Sequence, residues 1–263
     1  MKIFDAHHHI GSLQDVSFDK SLEQKVSHHT RIMDRYNISS AVLMPSPTYP
    51  NPNGVDDTRA INDSMATLRD LHTDRFPVAF GTVEPWYGEA GLQEIDRMLE
   101  SLDGIMWHNR WQRCFVDSPM IYDYIERAAK HDAIVGLHAY SGSELTSPWR
   151  VFNVTKSFPE IQFIVYDALG SVAQTQEIIN RGVDLQLDNV VFDTALAPRL
   201  ATQLPAFIEE FGVNRVVFGT DVYTDRDTPY TTRPIDQFHD AGLPEAHERA
   251  ILHKNAVRVF DLD

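Results

Sequence analysis

The sequence contains a single cysteine, Cys114, among its 263 residues. One cysteine excludes an internal disulfide and is typical of proteins kept in a reducing compartment. Positive charge is also scarce, because 23 Lys and Arg stand against 38 Asp and Glu, for a formal net charge of -15. Such a surface repels nucleic acid and anionic membranes, which both bind clustered positive charge. We therefore expect neither as a partner.

Long apolar runs are missing as well. No stretch approaches the roughly 18 consecutive apolar residues of a membrane-spanning helix. No N-terminal stretch combines a charged start, a long apolar run and a small-residue cleavage site. Together with the lone cysteine, these absences predict a soluble, cytoplasmic protein. Hydrophobic residues still make up 43% of the chain, which is enough for a full core.

Short β-branched, apolar runs alternate along the chain with segments of helical period, such as the one from Ser21 to Tyr36. This alternation is typical of βαβ units and a parallel sheet. Runs such as AVLM and FIVY suit strands that helices cover on their outer face. The strand candidates are residues 2–6, 38–44, 76–83, 104–107, 133–138, 162–166, 189–194 and 215–220.

Eight parallel strands in one chain are joined most simply in a closed barrel. We therefore predict an α/β fold, a (β/α)8 TIM barrel, which typically needs about 250 residues. No composition break or Gly/Ser linker divides the sequence, so one domain is expected over residues 1–263. A doubly wound open sheet is the alternative, but it normally has a glycine loop after the first strand. This chain has DAHHHIG at that position.

Three consecutive histidines, His7, His8 and His9, follow the first strand candidate. Side chains alternate along a strand, so His7 and His9 share one face while His8 points the other way. Two imidazoles about 7 Å apart at their Cα atoms can converge on one ion. The flanking residues form a sensible strand, which argues against the remnant of a purification tag.

Further candidate ligands also stand at strand ends. His138 closes the fifth strand candidate, and Asp221 follows the eighth. The C-terminal ends of all strands collect on one face of a parallel barrel, where its active sites are built. Taken singly, His138 could be a buried structural histidine and Asp221 a helix N-cap. Together with His7 and His9, they predict a metal site.

These segments resemble the amidohydrolase superfamily, and in particular its amidohydrolase-related branch of aminocarboxymuconate-semialdehyde decarboxylase-like enzymes. FDAHHHI resembles the family's opening D-x-H-x-H, and VVFGTDVYT resembles its eighth-strand motif. RFPVAFGTVEP, SPMIYDYIERAAKHDAIVGLHAYSG and ILHKNAVRVFDL are similar to intervening and closing family segments. The resemblance implies that His7, His9, His138 and Asp221 bind one divalent metal ion, with Zn2+ favoured and Mn2+ as an alternative. It also implies that Asp221 exchanges a proton with the metal-bound water.

The sequence departs from the family pattern at two places. In IVYDALGS, Ala168 stands where the family usually has a sixth-strand histidine, with Asp167 next to it. Asp167 could substitute, although neighbouring strand positions point in opposite directions unless a bulge reverses them. The lysine common at the end of the fourth strand is replaced by Met106, with His108 close behind. Asp167 and His108 are therefore candidate acid/base groups.

The predicted function is a metal-dependent hydrolase that activates water to cleave a small amide, ester or lactone. A metal-dependent decarboxylase of the same family and a non-catalytic metal-binding barrel are the alternatives. Aromatic residues and arginines near the predicted mouth suggest a small-molecule substrate that is cyclic or carries a carboxylate. Family analogy implies a homodimer.

Candidate substrate-binding residues are Trp107, Arg110, Tyr140, Arg150, Tyr166 and Tyr223. The helical histidines, including His28 and His29, are expected to be surface or capping residues.

Overall fold

The computed structural model describes residues 1–11, 21–47, 51–182, 188–224 and 234–262. Within these residues, parallel strands form one sheet in which neighbours along the chain are also neighbours in space. Two short segments, β1 and β2, both pair with β3 and together form the first barrel strand. The strands are β1 Phe4–Asp5, β2 His9–Ile10, β3 Ser40–Pro45, β4 Val78–Gly81, β5 Gly104–Trp107, β6 Ile134–His138, β7 Phe163–Tyr166, β8 Val190–Asp193 and β9 Val216–Val217.

The sheet closes because the last strand returns to the first. The amide of Ala6 donates to Phe218 O at 2.8 Å, and the amide of Asp221 donates to His7 O at 2.9 Å. His9 N bonds Val222 O at 3.0 Å in the same ladder. These bonds confirm the predicted (β/α)8 barrel and exclude the doubly wound open sheet.

Helices surround the barrel, and their ends follow local sequence rules. The first begins with a capping box, in which Ser21 Oγ accepts from Gln24 N and Gln24 Oε1 accepts from Ser21 N. No helix in the described ranges is long and apolar enough to cross a bilayer. The helices are α1 Leu22–Arg35, α2 Val55–Leu71, α3 Glu89–Met98, α4 Asn109–Gln112, α5 Pro119–Ala129, α6 Pro148–Ser157, α7 Val172–Gly182, α8 Leu200–Phe211, α9 Pro234–His239, α10 Glu245–Arg249 and α11 Asn255–Val259, with a π-helical segment Ala250–Lys254.

The core has two layers, as the apolar strands predict. Ile164 points into the barrel, while its neighbours Phe163 and Val165 pack outward against the helices. Phe260, just after α11, lies against Phe4 with ring centroids 5.3 Å apart, so the C-terminal segment covers the N-terminal end of the barrel. The C-terminal end of the barrel is the end at which the candidate active site lies.

All eight predicted strand regions contain barrel strands, but several are shorter than predicted. Within the run 215–220 the regular strand is Val216–Val217, and within the run 76–83 it is Val78–Gly81. Beyond Val217 the chain still bonds the first barrel strand through Phe218 O and the amide of Asp221. Asp221 itself has a left-handed backbone, with φ of 52°.

Candidate metal centre and active site

Four predicted ligands lie together at the C-terminal end of the barrel. His7 and His9 approach with their Nε2 atoms 3.0 Å apart. Asp221 Oδ1 lies 3.2 Å from His7 Nε2 and 3.6 Å from His9 Nε2. The ring of His138 lies 5.2 Å from that of His7 and 5.9 Å from that of His9, centroid to centroid. All four residues are buried.

The three imidazoles are oriented as metal ligands would be. Each Nδ1 faces an oxygen: His7 faces Asp193 Oδ2 at 2.5 Å, His9 faces Pro45 O at 2.8 Å, and His138 faces Trp107 O at 3.1 Å. An oxygen acceptor at Nδ1 fixes the proton there, so Nε2 presents its lone pair to the centre. His138 Nε2 is buried and has no hydrogen-bond partner among the described residues. The donor set fits a divalent ion.

The three imidazoles differ in the direction in which their surroundings shift their pKa values. Burial would lower the pKa of His7, but the charges of Asp221 and Asp193 outweigh it and hold that pKa well above its usual value. Burial, with repulsion from His7, holds the pKa of His9 well below its usual value. Burial and His108 do the same to the pKa of His138. The two carboxylates therefore distinguish His7, whose pKa is raised, from His9 and His138, whose pKa values are lowered.

Asp167 faces the centre, which strand alternation alone did not predict. Its backbone is left-handed, with φ of 60°, and this single residue reverses the direction that the strand would give its side chain. Its Oδ1 lies 3.9 Å from His7 Nδ1. Burial, and next the charge of Asp221, raise the pKa of Asp167 well above its usual value. Ala168, in the position of the family's histidine, is buried in the outer core.

Sequence reasoning missed Asp193, which ends β8. One carboxylate oxygen accepts from His7 Nδ1 and the other accepts from the amide of Asp167 at 2.8 Å. Gly219 allows this approach, because a Cβ at that position would lie 2.7 Å from Asp193 Oδ2 and 2.8 Å from His7 Cβ. A signal was available, since Asp193 is an acidic residue at the end of a strand, like Asp221.

His108 lies next to the predicted ligand His138. Its ring stacks on His138 with centroids 4.3 Å apart, and its Nδ1 is buried without a hydrogen-bond partner in the described part of the chain. Burial lowers the pKa of His108 to about 3, so the imidazole is neutral at physiological pH. His108, His138 and Asp167 bring three potential ligand atoms within 4.8 Å of one another.

Two of the predicted substrate-binding residues, Trp107 and Tyr166, are fully buried. Trp107 is fully buried in the outer core, where its indole N–H donates to Val83 O at 2.8 Å. Tyr166 is fully buried inside the barrel, with its ring 4.4 Å from that of His7. Gly136 leaves space for that ring, because a Cβ there would lie 2.5 Å from it. Trp107 therefore packs in the outer core, and Tyr166 packs against the imidazoles of His7 and His138.

The remaining substrate-binding candidates have different surroundings. Arg110 is exposed and lies over the ring of Tyr140, 5.1 Å from its centroid. Tyr223 is buried and stacks on His9, with centroids 4.6 Å apart and planes at 11°. Arg150 instead bonds Asp117 through Nη1, at 2.8 Å and 3.1 Å. Its predicted role as a free carboxylate clamp is not supported by this position.

The prediction for His29 is wrong. His29 was expected at the surface or at a helix end, but it is fully buried within α1. Its Nδ1 lies 2.9 Å from Nε2 of His8. The middle histidine of the triplet does point away from the centre, as alternation predicts, and it meets a second buried imidazole there.

The chain is similar to a known protein family and to several solved structures. The family model described as amidohydrolase matches residues 4–262, and no curated protein matches the chain. Among solved structures, 5-carboxyvanillate decarboxylase from Sphingomonas paucimobilis is 15% identical, with a TM-score of 0.72 and 99% of each chain covered. Dihydroxybenzoic acid decarboxylase from Polaromonas sp., with bound manganese and the inhibitor 2-nitroresorcinol, is 17% identical, with a TM-score of 0.73 and coverage of 99% of this chain and 97% of that one.

A third structure has a different named activity. The probable 2-pyrone-4,6-dicarboxylic acid hydrolase from Acinetobacter baumannii is 15% identical, with a TM-score of 0.64 and coverage of 99% of this chain and 100% of that one. At these identities the similarity shows a shared fold. Proteins with this fold are named both as decarboxylases and as a hydrolase.

Proposed function

The chain belongs to the amidohydrolase family, and from that premise we propose that it is a metal-dependent hydrolase of a small amide, ester or lactone. One observation carries the proposal: the Nε2 atoms of His7 and His9 and the carboxylate of Asp221 converge within 3.6 Å. The unpartnered Nε2 of His138 lies beside them. Two carboxyl groups, Asp221 and Asp167, border the same centre.

The proposed ion is held by His7, His9, His138 and Asp221. Zn2+ is favoured because three imidazoles and one carboxylate are typical zinc ligands, and Mn2+ is the alternative. The manganese in the Polaromonas decarboxylase structure supports a divalent ion in this fold. When bound, such an ion polarises a carbonyl oxygen and lowers the pKa of water from about 15.7 towards 7.

The two carboxyl groups divide the proton transfers. Asp221 accepts the proton of the attacking water, as its place beside His7 and His9 allows. Asp167 holds a proton more tightly than an ordinary carboxyl, because burial and Asp221 raise its pKa. It delivers that proton to the leaving group. A carboxyl group whose surroundings raise its pKa commonly acts as a general acid.

Arg110 is the proposed substrate anchor. Within the described residues it forms no ion pair, and it lies over the ring of Tyr140. Its guanidinium is therefore free to bind a substrate carboxylate in a bidentate manner. Tyr223, stacked on His9, offers an apolar face beside the centre. The proposed substrate is thus a cyclic or flat molecule that carries a carboxylate.

Decarboxylation is the second candidate. It is favoured by the decarboxylases from Sphingomonas paucimobilis and Polaromonas sp. among the similar structures. Neutral His108, stacked on His138, would then assist proton delivery to the carbon that loses CO2. The absence of the family's sixth-strand histidine at Ala168 counts against this reaction, since that residue assists the related enzymes.

The test is metal analysis of protein purified without a tag, followed by turnover assays on lactones, amides, esters and aromatic carboxylates. Hydrolysis of an ester or lactone predicts acid release in a pH-stat without CO2, and hydrolysis of an amide predicts release of the free amine. Either activity should be lost after chelation and recovered on adding Zn2+ or Mn2+. CO2 release would instead establish the decarboxylase. A stoichiometric ion without turnover of any substrate would favour the non-catalytic barrel, and less than about 0.2 ion per chain after gentle preparation would contradict the site.

A further inference from the structure

Two buried histidines, His8 and His29, belong to a chain of hydrogen bonds that the proposed reaction does not use. His8 Nδ1 lies 2.9 Å from Asp5 Oδ2, and His8 Nε2 lies 2.9 Å from His29 Nδ1. His29 Nε2 lies 2.8 Å from Thr224 Oγ1. The chain therefore joins the first barrel strand, helix α1 and the segment after β9. Its four members are at most 4% exposed.

With both imidazoles neutral, the chemistry of Asp5 sets the direction of every bond. Asp5 Oδ1 accepts the amides of His7 and Thr220 at 3.1 and 3.0 Å, and Oδ2 accepts the Thr220 hydroxyl. A carboxylate accepts only, so His8 donates from Nδ1 and its Nε2 accepts from His29 Nδ1. His29 Nε2 must then accept the hydroxyl of Thr224. Each ring makes one donation and one acceptance, and no ring nitrogen is left over.

Both ends of this chain are next to proposed metal ligands. At one end, Asp5 binds the amide of His7 and the amide of Thr220, which precedes Asp221. At the other end, Thr224 follows Tyr223, whose ring stacks on His9. Thr224 also exchanges two bonds with Gly11, at 2.7 and 2.8 Å, and so ties together the segments that follow His9 and Asp221.

We propose that His29 is a positioning residue that holds His7, His9 and Asp221 in their ligand geometry through Asp5, His8 and Thr224. The inference rests on the metal site of the proposed function. The proposed ligands then fall into two groups. The chain of hydrogen bonds supports His7, His9 and Asp221, which lie on or next to the first and last barrel strands. His138 is held separately, by Trp107 O. Loss of His29 should therefore distort one side of the centre.

Simple core packing is the competing explanation. His8 lies 5.9 Å from Phe76 and His29 packs edge-on to His28, centroid to centroid 5.6 Å. If only volume mattered, His29→Leu would keep the site and His29→Gln would have no advantage. If the hydrogen bonds matter, Gln, which has a donor and an acceptor, should perform better than Leu.

The test measures Co2+ binding to metal-free protein, by chelator competition and by the visible absorption spectrum that reports ligand geometry. Outer hydrogen-bond partners of ligands typically change metal affinity about 10- to 100-fold. We expect His29→Leu to weaken Co2+ binding at least about tenfold and to alter the spectrum, with partial recovery in His29→Gln. The neighbouring His28→Gln is the matched control and should bind Co2+ like wild type.

A second variant keeps the test decisive if His29→Leu fails to fold. Thr224→Val removes the hydroxyl that contacts His29 Nε2 and accepts the Gly11 amide. It should give the same spectral change with a smaller loss of affinity. Wild-type affinity and spectrum in folded His29→Leu and Thr224→Val would overturn this inference alone. Failure of the wild-type protein to bind Co2+ would instead contradict the proposed metal site.

Discussion

Asp193 connects His7 to Asp167. One of its carboxylate oxygens accepts from His7 Nδ1 at 2.5 Å, and the other accepts the backbone amide of Asp167 at 2.8 Å. A single buried side chain therefore orients a proposed metal ligand and anchors the left-handed residue that turns a second carboxyl towards the centre. Strand β8 thus contributes to the site without itself presenting a proposed ligand.

Asp193→Asn should lower metal affinity about 10- to 100-fold, as expected for a residue that orients a ligand. The amide has only one acceptor oxygen, so it cannot serve both His7 and Asp167. Isothermal titration with Zn2+ measures the change. Asp188→Asn, at an exposed acid just before the same strand, is the control and should leave affinity unchanged. Equal affinities in both variants would mean that Asp193 does not position His7.

Asp221→Asn should reduce kcat about 100- to 10,000-fold, the usual contribution of a general acid or base. The amide cannot take a proton from the attacking water, although its oxygen still lies near His7 and His9. Steady-state assays of metal-loaded protein measure the loss, with circular dichroism to confirm the fold. Wild-type kcat in this variant would show that the catalytic role has been assigned to the wrong residue.

Gly219→Ala should separate His7 from Asp193. The added Cβ would lie 2.7 Å from Asp193 Oδ2, and such overpacking costs about 1–3 kcal/mol. We expect lower stability in urea together with weaker Zn2+ binding. Gly104→Ala makes a comparable clash with Ile134 O, at 2.4 Å, away from the proposed ligands. It should lower stability but keep the intrinsic metal affinity, and the reverse pattern would contradict our account of Gly219.

Glu84 should make the protein less stable as pH rises. Burial raises the pKa of Glu84 to about 7 from the ordinary 4.5, so the folded state binds this proton more tightly than the unfolded state. Its contribution to stability is therefore lost progressively from about pH 4.5 to about pH 7. We compare the free energy of unfolding of Glu84→Gln with that of wild type, measured in urea at pH 4.5 and at pH 8. The difference should shift in favour of the variant by about 1–3 kcal/mol between the two pH values. Exposed Glu89→Gln should show no such pH-dependent gain; a similar gain there would contradict the assignment to Glu84.

The two arginines near the mouth should behave differently. Arg110→Ala should raise KM for carboxylate-bearing substrates about 10-fold or more, since a charged hydrogen bond contributes about 1.5–3 kcal/mol. Arg150→Ala should instead lower stability, because it removes the ion pair with Asp117 and uncovers the rings of Phe115 and Trp149. Kinetics on matched substrates with and without a carboxylate tests this. A larger KM effect for Arg150 would reverse our assignment.

The order of elements and the main ligands could be predicted from the sequence because they depend on local periodicity and chain topology. Eight apolar runs alternating with helices require parallel pairing, and strand ends then converge at one mouth. That rule alone brings His7, His9, His138 and Asp221 together. The homodimer implied by family analogy stays a prediction, as does the extent of the single domain.

Other features depend on single backbone angles and on distant contacts. Asp167 faces the centre because of one left-handed residue with φ of 60°, and strand alternation predicts the opposite direction. Trp107 and Tyr166 are aromatic residues at a strand end, where sequence cannot distinguish core from mouth; both are fully buried. The sequence makes Arg150 a substrate-binding candidate because nothing local reveals its partner, Asp117, which lies 33 positions away.

The sequence by itself determined the barrel and which strand ends supply the proposed ligands, because hydrophobic period and strand direction are local properties. Only the tertiary structure decided the surroundings of those ligands: Asp193 behind His7, His29 behind His8, and Asp167 turned inward. These relationships join residues as far as 186 positions apart. They are set by closure of the sheet and by close packing at Gly219, which no local pattern in the chain records.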